Sequence, residues 1–469
     1  MEPPASTNSI PAYLSHTDSR YGPDKCAKLV TVKRGRKEGI SLRINEPITI
    51  GRNPAMCSYL VADRSVSGVH CKVYAVRSPN GGVIVSCKDL SKNGIVLNGH
   101  RIKGTSVILM DGDTFRIPDS QTFTCQHIWQ DPVHKQSVFD PTPPLHVAQK
   151  ISIKRIGNYT LTSKCLGTGS FATVHLAMDT AHHCQVACKS IRTKREHELE
   201  QVMKEISILC DLRHPNINRI YDTERDGTFI HLFLQLCTGG DLFTYVNSYT
   251  EKGVWMCEAE AKYITYQILL GLVYLHEKMI SHRDLKPENI LLHCPGPYPR
   301  VQIADFGLAR PKSWQATFNV CGTVSYLPPE GVMALDRKEL TYVGLPADCW
   351  SAGVTLYVML CGSHPFDYAT SQQWSTSGSE DGDEDMHREH DVKERIVSGE
   401  GPDFACKVWR GLRDARSLIT QLLQTDPCRR ATVQDALTSA WVQGDIEVLE
   451  GAYHDRILSC MDAAELAPR

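Results

Sequence analysis

Hydrophobic positions follow two different rhythms along this chain. Between Lys28 and His127 they come in short alternating runs: Leu29–Val32, Ile40–Ile44, Ile48–Ile50, Val69–Val76, Gly82–Ser86, Gly94–Leu97, Asp113–Ile117 and Thr122–Cys125. Turn formers separate the runs, at Gly35, Pro79–Gly82, Asn98-Gly99 and Asp111-Gly112. A period of two places alternate side chains on opposite faces, and many short strands joined by such turns predict an all-β sandwich. From Tyr159 a few more strands give way to helical spacing. The segments Glu198–Leu212, Glu258–Lys278 and Ala347–Leu360 predict helices of a larger α+β unit that ends near Trp441.

The boundaries follow from where the patterning stops. Residues 1–27 are polar and rich in Pro and Ser, and are expected to be disordered; the β unit spans 28–130. Residues 131–158 carry Pro-containing turns and little periodicity, which makes them a linker. The larger domain occupies 159–442, and 443–469 form a C-terminal tail. Within the larger domain an acidic insert at about 367–391, including Glu380-Asp-Gly-Asp-Glu-Asp385, is expected to be a solvated loop.

Composition narrows the function classes. The 469 residues are 42% hydrophobic, and a formal net charge of −2 argues against charge-driven binding of nucleic acid or membrane. The start of the chain lacks the apolar core of a signal peptide, and no apolar run reaches a membrane span, so an intracellular setting is expected. The 18 cysteines are scattered without metal-ligand spacing and read as reduced thiols.

The densest chemistry lies in His282-Arg-Asp-Leu-Lys-Pro-Glu-Asn289, followed by Asp305-Phe-Gly307. Asp284 can accept the proton of a substrate hydroxyl, and Asn289 and Asp305 offer hard oxygen ligands to Mg²⁺. These residues resemble the catalytic and metal loops of eukaryotic protein kinases. The resemblance extends over 159–442 and implies a bilobal α+β kinase fold using ATP and Mg²⁺. Leu166-Gly-Thr-Gly-Ser-Phe-Ala-Thr-Val174 resembles the phosphate-covering loop, with Leu166, Gly167, Gly169 and Val174 as nucleotide contacts and Ala172 in place of a third glycine. Val186-Ala-Cys-Lys189 resembles the strand whose lysine holds the phosphates. Ala187 then faces the nucleotide, and Glu205 is the partner that orients Lys189. Leu232–Phe243 resembles the hinge, where adenine would read backbone groups near Gln235 and Cys237 with Leu234 behind it. Lys286 resembles the lysine of Ser/Thr rather than Tyr kinases and would stabilise the transferring phosphoryl group. Cys321–Glu330 resembles the end of an activation segment, with Val324 and Pro328 as departures. Glu330 is then expected to pair with Arg430, and Asp348 to brace the catalytic loop.

Regulation is also implied. Arg283 beside the catalytic Asp accompanies activation-segment phosphorylation in kinases; Thr317 is one candidate site. Thr323 is another, with hydrogen bonding near Asp284 as its alternative role. Asp241 and Glu288 lie where related kinases hold the basic side chains of a substrate upstream of the phosphoacceptor, with a helix N-cap as the alternative for Asp241 and a structural role as the alternative for Glu288.

The β unit has its own chemistry. Gly51-Arg52, Ser67-Gly-Val-His70, Asp89-Leu-Ser-Lys-Asn-Gly94 and Asn98-Gly99 together resemble a forkhead-associated (FHA) domain, a sandwich that reads phosphothreonine. Arg52, Ser67, Lys92 and Asn93 supply donors suited to a doubly charged phosphate. Gly68 and Ile95 depart from the pattern, and His70 is expected to bond within the structure. Lys33–Lys37 is either a charged hairpin turn or a nuclear import patch.

An FHA domain ahead of a Ser/Thr kinase resembles the checkpoint effector kinases of DNA damage and meiotic recombination. The resemblance implies docking onto a phosphothreonine-containing adaptor, transient self-association for trans-phosphorylation and a nuclear location. Its substrates would be proteins with basic residues upstream of Ser or Thr, with no direct nucleic acid or membrane contact. Residues 1–25 hold no Ser-Gln or Thr-Gln cluster, which favours the meiotic type. The alternative is a phosphothreonine-dependent scaffold with an inactive kinase domain.

Overall fold

The computed structural model describes residues 25–128 and 154–461, apart from 34, 79–81, 169–171, 193–202, 204–205, 207–208, 307–308, 312–314, 316, 318–321, 338 and 368–381. Gly169, Glu205 and most of the helix expected over Glu198–Leu212 therefore lie outside the described residues.

The N-terminal unit is a sandwich of two sheets. One is formed by β1 (Lys25–Lys33), β2 (Arg36–Arg43), β7 (Ile95–Leu97), β8 (His100–Ile102), β10 (Thr114–Arg116) and β11 (Thr122–His127), in the order β2-β1-β11-β10-β7-β8. The other holds β3 (Ile48–Gly51), β4 (Tyr59–Leu60), β5 (Cys71–Arg77), β6 (Val83–Asp89) and β9 (Ser106–Ile108), in the order β4-β3-β5-β6-β9. Alternation along the strands does the sorting: Leu29, Ile50, Val73, Val85, Phe115 and Phe123 are all fully buried between the sheets. Lys33 and Arg36 pair across the β1–β2 hairpin, whose turn needs the positive φ of Gly35, so the basic run lies in a hairpin.

The catalytic unit has two lobes. Its small lobe is a six-stranded antiparallel sheet of β12 (Lys154–Ile156), β13 (Tyr159–Thr168), β14 (Ala172–Asp179), β15 (Cys184–Arg192), β16 (Ile220–Asp226) and β17 (Phe229–Gln235), ordered β12-β13-β14-β15-β17-β16. Strand β12 lies inside the stretch expected to be linker, because Lys154–Ile156 pairs with Tyr159–Leu161.

The large lobe is helical. Helices α1 (Leu242–Thr250), α2 (Glu258–Glu277), α3 (Pro329–Asp336) and α4 (Gly344–Cys361) pack with later helices around Leu272, Leu275, Trp350, Leu356 and Ile419. Both α2 and α4 are buried on most faces, so buried positions are not confined to one stripe of either helix.

Other stretches also differ from expectation: Lys25–Ala27, expected to belong to a disordered N-terminus, begin β1 with Cys26 and Ala27 buried in the sandwich core. The acidic insert was expected to be a loop through residue 391, but α5 (Gly382–Ser398) is helical. Val392 and Ile396, one turn apart, are buried in the large-lobe core and anchor a helix that extends back into the acidic residues. The C-terminal tail also contributes to the fold: in the helix Ile446–Arg456, Leu449 and Tyr453 are buried, and the Tyr453 hydroxyl donates to Asn216 Oδ1 at 2.7 Å.

Candidate active site and phosphate-reading loops

The catalytic loop is held from below by one carboxylate. Asp348 on α4 is fully buried and accepts from the backbone N–H groups of His282 (2.8 Å) and Arg283 (2.9 Å), while His276 of α2 reaches it at 3.1 Å. A fully satisfied carboxylate of this kind fixes backbone direction where the chain is strained, and Arg283 has φ +67°. His276 was not singled out from the sequence, where it is an ordinary residue at the end of a helix. His282 Nδ1 accepts from Asp284 N–H at 3.3 Å, so Nε2 carries the proton and donates to the Ala304 carbonyl at 2.8 Å. The loop and the strand leading to Asp305 are thereby tied together.

Four groups converge on Asp284. Thr323 donates to Oδ1 through both its backbone N–H and its hydroxyl, each at 2.9 Å. Asn289 Nδ2 donates to Oδ2 at 3.0 Å and to the Asp284 carbonyl at 2.7 Å. Lys286 Nζ lies 3.3 Å from Oδ2 and donates to the Thr323 hydroxyl at 2.6 Å. The carboxylate therefore has one orientation. Gly322 makes the approach possible: at φ +111°, an added Cβ would lie 2.5 Å from the Arg283 carbonyl oxygen.

The metal-ligand candidates adjoin this cluster. Ala304 N–H donates to the Asn289 carbonyl at 2.8 Å, which sets Asp305 beside Asn289. With Nδ2 committed to Asp284, Asn289 has its amide oxygen left for a cation, and Asp305 adds a carboxylate, so the donor set suits a hard divalent ion. Lys189 on β15 forms an ion pair with Asp305.

The residues expected to contact nucleotide lie at the junction of the lobes. Gly167 pairs with Val174 across β13 and β14, and Ala187 is buried on β15. Gln235 at the hinge is buried; its carbonyl accepts from Asn218 Nδ2 at 3.0 Å and its side chain accepts from Gln302 at 2.8 Å. The Cys237 thiol points to Gln302 Oε1 at 3.0 Å, and burial pushes its pKa up to about 12, so it acts as a neutral donor.

The remaining residues singled out in the sequence are placed as follows. Arg430, with no exposed side-chain area, makes two bonds to Glu330 at 2.7 and 2.9 Å. Thr317 is buried and exchanges backbone hydrogen bonds with Tyr342 at 3.0 and 3.1 Å. Asp241 caps α1, its Oδ1 accepting from Thr244 N–H at 2.7 Å, and burial raises its pKa. Glu288 is exposed at the same edge; desolvation, with Asp241 and Asp284 nearby, raises its pKa as well.

The phosphothreonine candidates gather on loops at one end of the sandwich. Arg52 is exposed, and its backbone N–H bonds to the Ser67 carbonyl at 3.0 Å. Gly51 permits this approach, since a Cβ there would lie 2.3 Å from the Gly68 carbonyl oxygen. The Ser67 hydroxyl accepts from Lys92 N–H at 3.2 Å, and Asn93 Nδ2 donates to the Ser65 carbonyl at 3.2 Å. His70, fully buried, accepts from Ser67 N–H and donates to the Gly94 carbonyl, both at 3.2 Å, and so joins the two loops. Burial lowers its pKa and favours the neutral ring that this arrangement needs. Arg101, not noticed in the sequence, donates twice to the Asn93 carbonyl, at 2.7 and 3.1 Å. It sits on a different strand, and only the folded sheet brings it to the loop.

Comparison with known proteins identifies the two units. A protein kinase domain model matches residues 160–442 and an FHA domain model matches residues 48–118. The chain belongs to the protein kinase family, and it carries an FHA domain ahead of the catalytic unit. It is a serine/threonine kinase by likeness to relatives over most of its length. The probable serine/threonine-protein kinase fhkC of Dictyostelium discoideum is 31% identical over 84% of this chain, which spans 61% of that relative's length. The meiosis-specific serine/threonine-protein kinase mek1 of Schizosaccharomyces pombe is 31% identical over 91% of this chain and 88% of its own. Its namesake MEK1 of Saccharomyces cerevisiae is 29% identical over 88% and 83%. Protein kinase domains use ATP and a divalent metal.

Proposed function

We propose that this chain is an active, phosphate-directed kinase: an adaptor's phosphothreonine binds Arg52, Ser67, Lys92 and Asn93, and the recruited catalytic unit phosphorylates Ser or Thr in proteins. The observation that carries the activity is the convergence of Thr323, Lys286 and Asn289 on Asp284 above the buried Asp348. Asp284 orients the substrate hydroxyl and takes its proton at Oδ1 or Oδ2. Lys286 holds its charge beside the acceptor, Lys189 holds the phosphates, and Asn289 and Asp305 hold the metal, with Mg²⁺ the ion that suits two oxygen ligands and phosphate. When bound, Mg²⁺ supplies charge neutralisation on the transferring phosphoryl group.

Glu288, exposed at the edge of the site, supports a preference for basic residues upstream of the acceptor, whereas Asp241 is buried and its carboxylate is taken up as the cap of α1. Docking of two chains on one adaptor raises their mutual concentration, which supports trans-phosphorylation in the activation segment at Thr317, whereas the Thr323 hydroxyl is committed to Asp284. Arg283 would then bind the new phosphate. The two meiosis-specific relatives support a role in the meiotic form of checkpoint signalling, and a nuclear location accords with it.

The test is phosphorylation of a basic Ser/Thr peptide by the wild type, by Asp284→Asn and by Lys189→Met. Activity in the wild type alone is expected; equal activity in all three would overturn the assignment.

A further inference from the structure

The sandwich touches both lobes of the kinase and the hinge between them. On the small lobe, Ile84 of β6 and Ile108 of β9 pack with Leu176, and Leu166 and Leu236 close the same apolar cluster. Gln185, at the start of β15, bonds to both backbone groups of Ile108: its amide oxygen accepts from Ile108 N–H at 2.7 Å and its Nε2 donates to the carbonyl at 2.9 Å. At the hinge, the Thr238 hydroxyl donates to Ser106 Oγ at 2.9 Å. On the large lobe, Lys88 Nζ approaches Cys294 Sγ at 3.6 Å, and Arg77 approaches Glu251 at 3.9 Å. Beside these contacts a cleft of about 340 Å³ lies between Asn45 and Arg77 of the sandwich and Asp241, Phe243 and Glu288 of the large lobe.

Lobe closure over a nucleotide is a rotation about the hinge. A rigid body fastened on both sides of that hinge opposes the rotation. Leu166 belongs at once to the apolar contact and to the expected roof of the nucleotide site. In the arrangement held by these contacts, Lys189 is paired with Asp305. That pair must separate for Lys189 to take phosphate and Asp305 to take metal.

The same strands lead to the phosphothreonine loops. β6 carries Ile84 and Lys88 into the contact and ends at Asp89. The Asp89 carboxylate accepts from Ser91 N–H (3.2 Å), Ser91 hydroxyl (2.7 Å) and Gly104 N–H (2.7 Å). Ser91 adjoins Lys92 and Asn93, and Gly104 leads into Ser106 at the hinge contact. A ligand that reorders the Lys92–Asn93 loop therefore acts on a carboxylate that also sets β9.

We propose that the FHA domain is a splint across the kinase hinge that resists nucleotide binding, and that a phosphothreonine peptide on its loops relaxes the splint within the same chain. The proposal rests on the phosphothreonine reading above and adds an action in cis to recruitment. Binding linkage is reciprocal, so the nucleotide must tighten the peptide by the factor with which the peptide tightens the nucleotide.

The experiment uses the full chain and a monovalent phosphothreonine peptide that cannot bring two chains together. The dissociation constant of a fluorescent ATP analogue is measured with and without saturating peptide, in the wild type and in Gln185→Ala/Ser106→Ala. These substitutions remove cross-domain hydrogen bonds and leave both cores intact. Peptide is expected to tighten the analogue about fivefold in the wild type, within the usual range of allosteric coupling. The double variant should start at the tighter value and show no further change, while binding the peptide as the wild type does. Peptide binding without any change in analogue affinity, in both proteins, would overturn the splint and leave recruitment standing. Failure of the peptide to bind at all would overturn the phosphothreonine reading on which the splint rests.

Discussion

At the scale of single residues, the most instructive position is Thr323. As a threonine in an activation segment, it is a candidate phosphosite. Its hydroxyl and N–H are both committed to Asp284, and its oxygen receives Lys286. A phosphate there would put negative charge against the catalytic carboxylate, which argues for the positioning role. Thr323→Ala should lower kcat on the order of tenfold to hundredfold through lost alignment of Asp284, with little change in KM for ATP. Thr323→Ser should restore most of the rate, and Thr323→Glu should not. A glutamate variant more active than wild type would refute the positioning role. The motif around Asp284 was legible in the sequence, and the family resemblance offered hydrogen bonding near Asp284 as one of two roles for Thr323; the geometry that favours that role was not legible, because it joins segments far apart in the chain.

At the scale of elements, three half-buried histidines of the kinase unit sit in poorly solvated surroundings. Desolvation pushes His293 down to about 3, and His214 and His364 down to about 4, with Arg300 adding to the first two. In the unfolded chain each imidazole titrates near 6.5. The folded values are the lower ones, so the unfolded state binds more protons below pH 6.5. The stability these neutral rings contribute is present above that value and is lost as pH falls toward 4. Each ring should cost up to about 1.4 kcal/mol per pH unit in that window. Urea unfolding at constant ionic strength should therefore show the kinase unit weakening between pH 6.5 and 5, before most carboxylates protonate. A flat profile there would mean the rings are charged in the fold. The α2 and α4 helices were readable from their helical apolar spacing, as was the alternation of the sandwich. The helix α5 was not, because its acidic residues mask the anchors Val392 and Ile396, which lie at the edge of the insert.

At the scale of the whole molecule, two phosphate-handling sites share one chain. Arg52 is exposed on the sandwich, and its side chain is the planar donor best suited to a phosphate. Arg52→Ala should weaken phosphothreonine-peptide binding about a hundredfold, as expected for loss of a charge-assisted bond of roughly 3 kcal/mol. Its turnover of a free basic peptide, without phosphopeptide, should match the wild type. Calorimetry and a peptide kinase assay on the same preparation would check both halves. A parallel fall in basal turnover would show that Arg52 supports the fold rather than the ligand.

The amino-acid sequence by itself determined the two domain types, their order, and the residues able to do chemistry in each. Those are local properties: alternation, helical spacing, and runs such as His282–Asn289 in which several functional groups lie within one loop. Only the tertiary structure decided how the groups are held and connected. The brace from Asp348 was already implied by the family resemblance, but Arg101 reaches Asn93 from β8, His276 joins Asp348 from α2, and Gln185 and Thr238 reach the FHA domain from the kinase. Such contacts depend on which faces meet when two cores are buried, and no local pattern records which faces will meet.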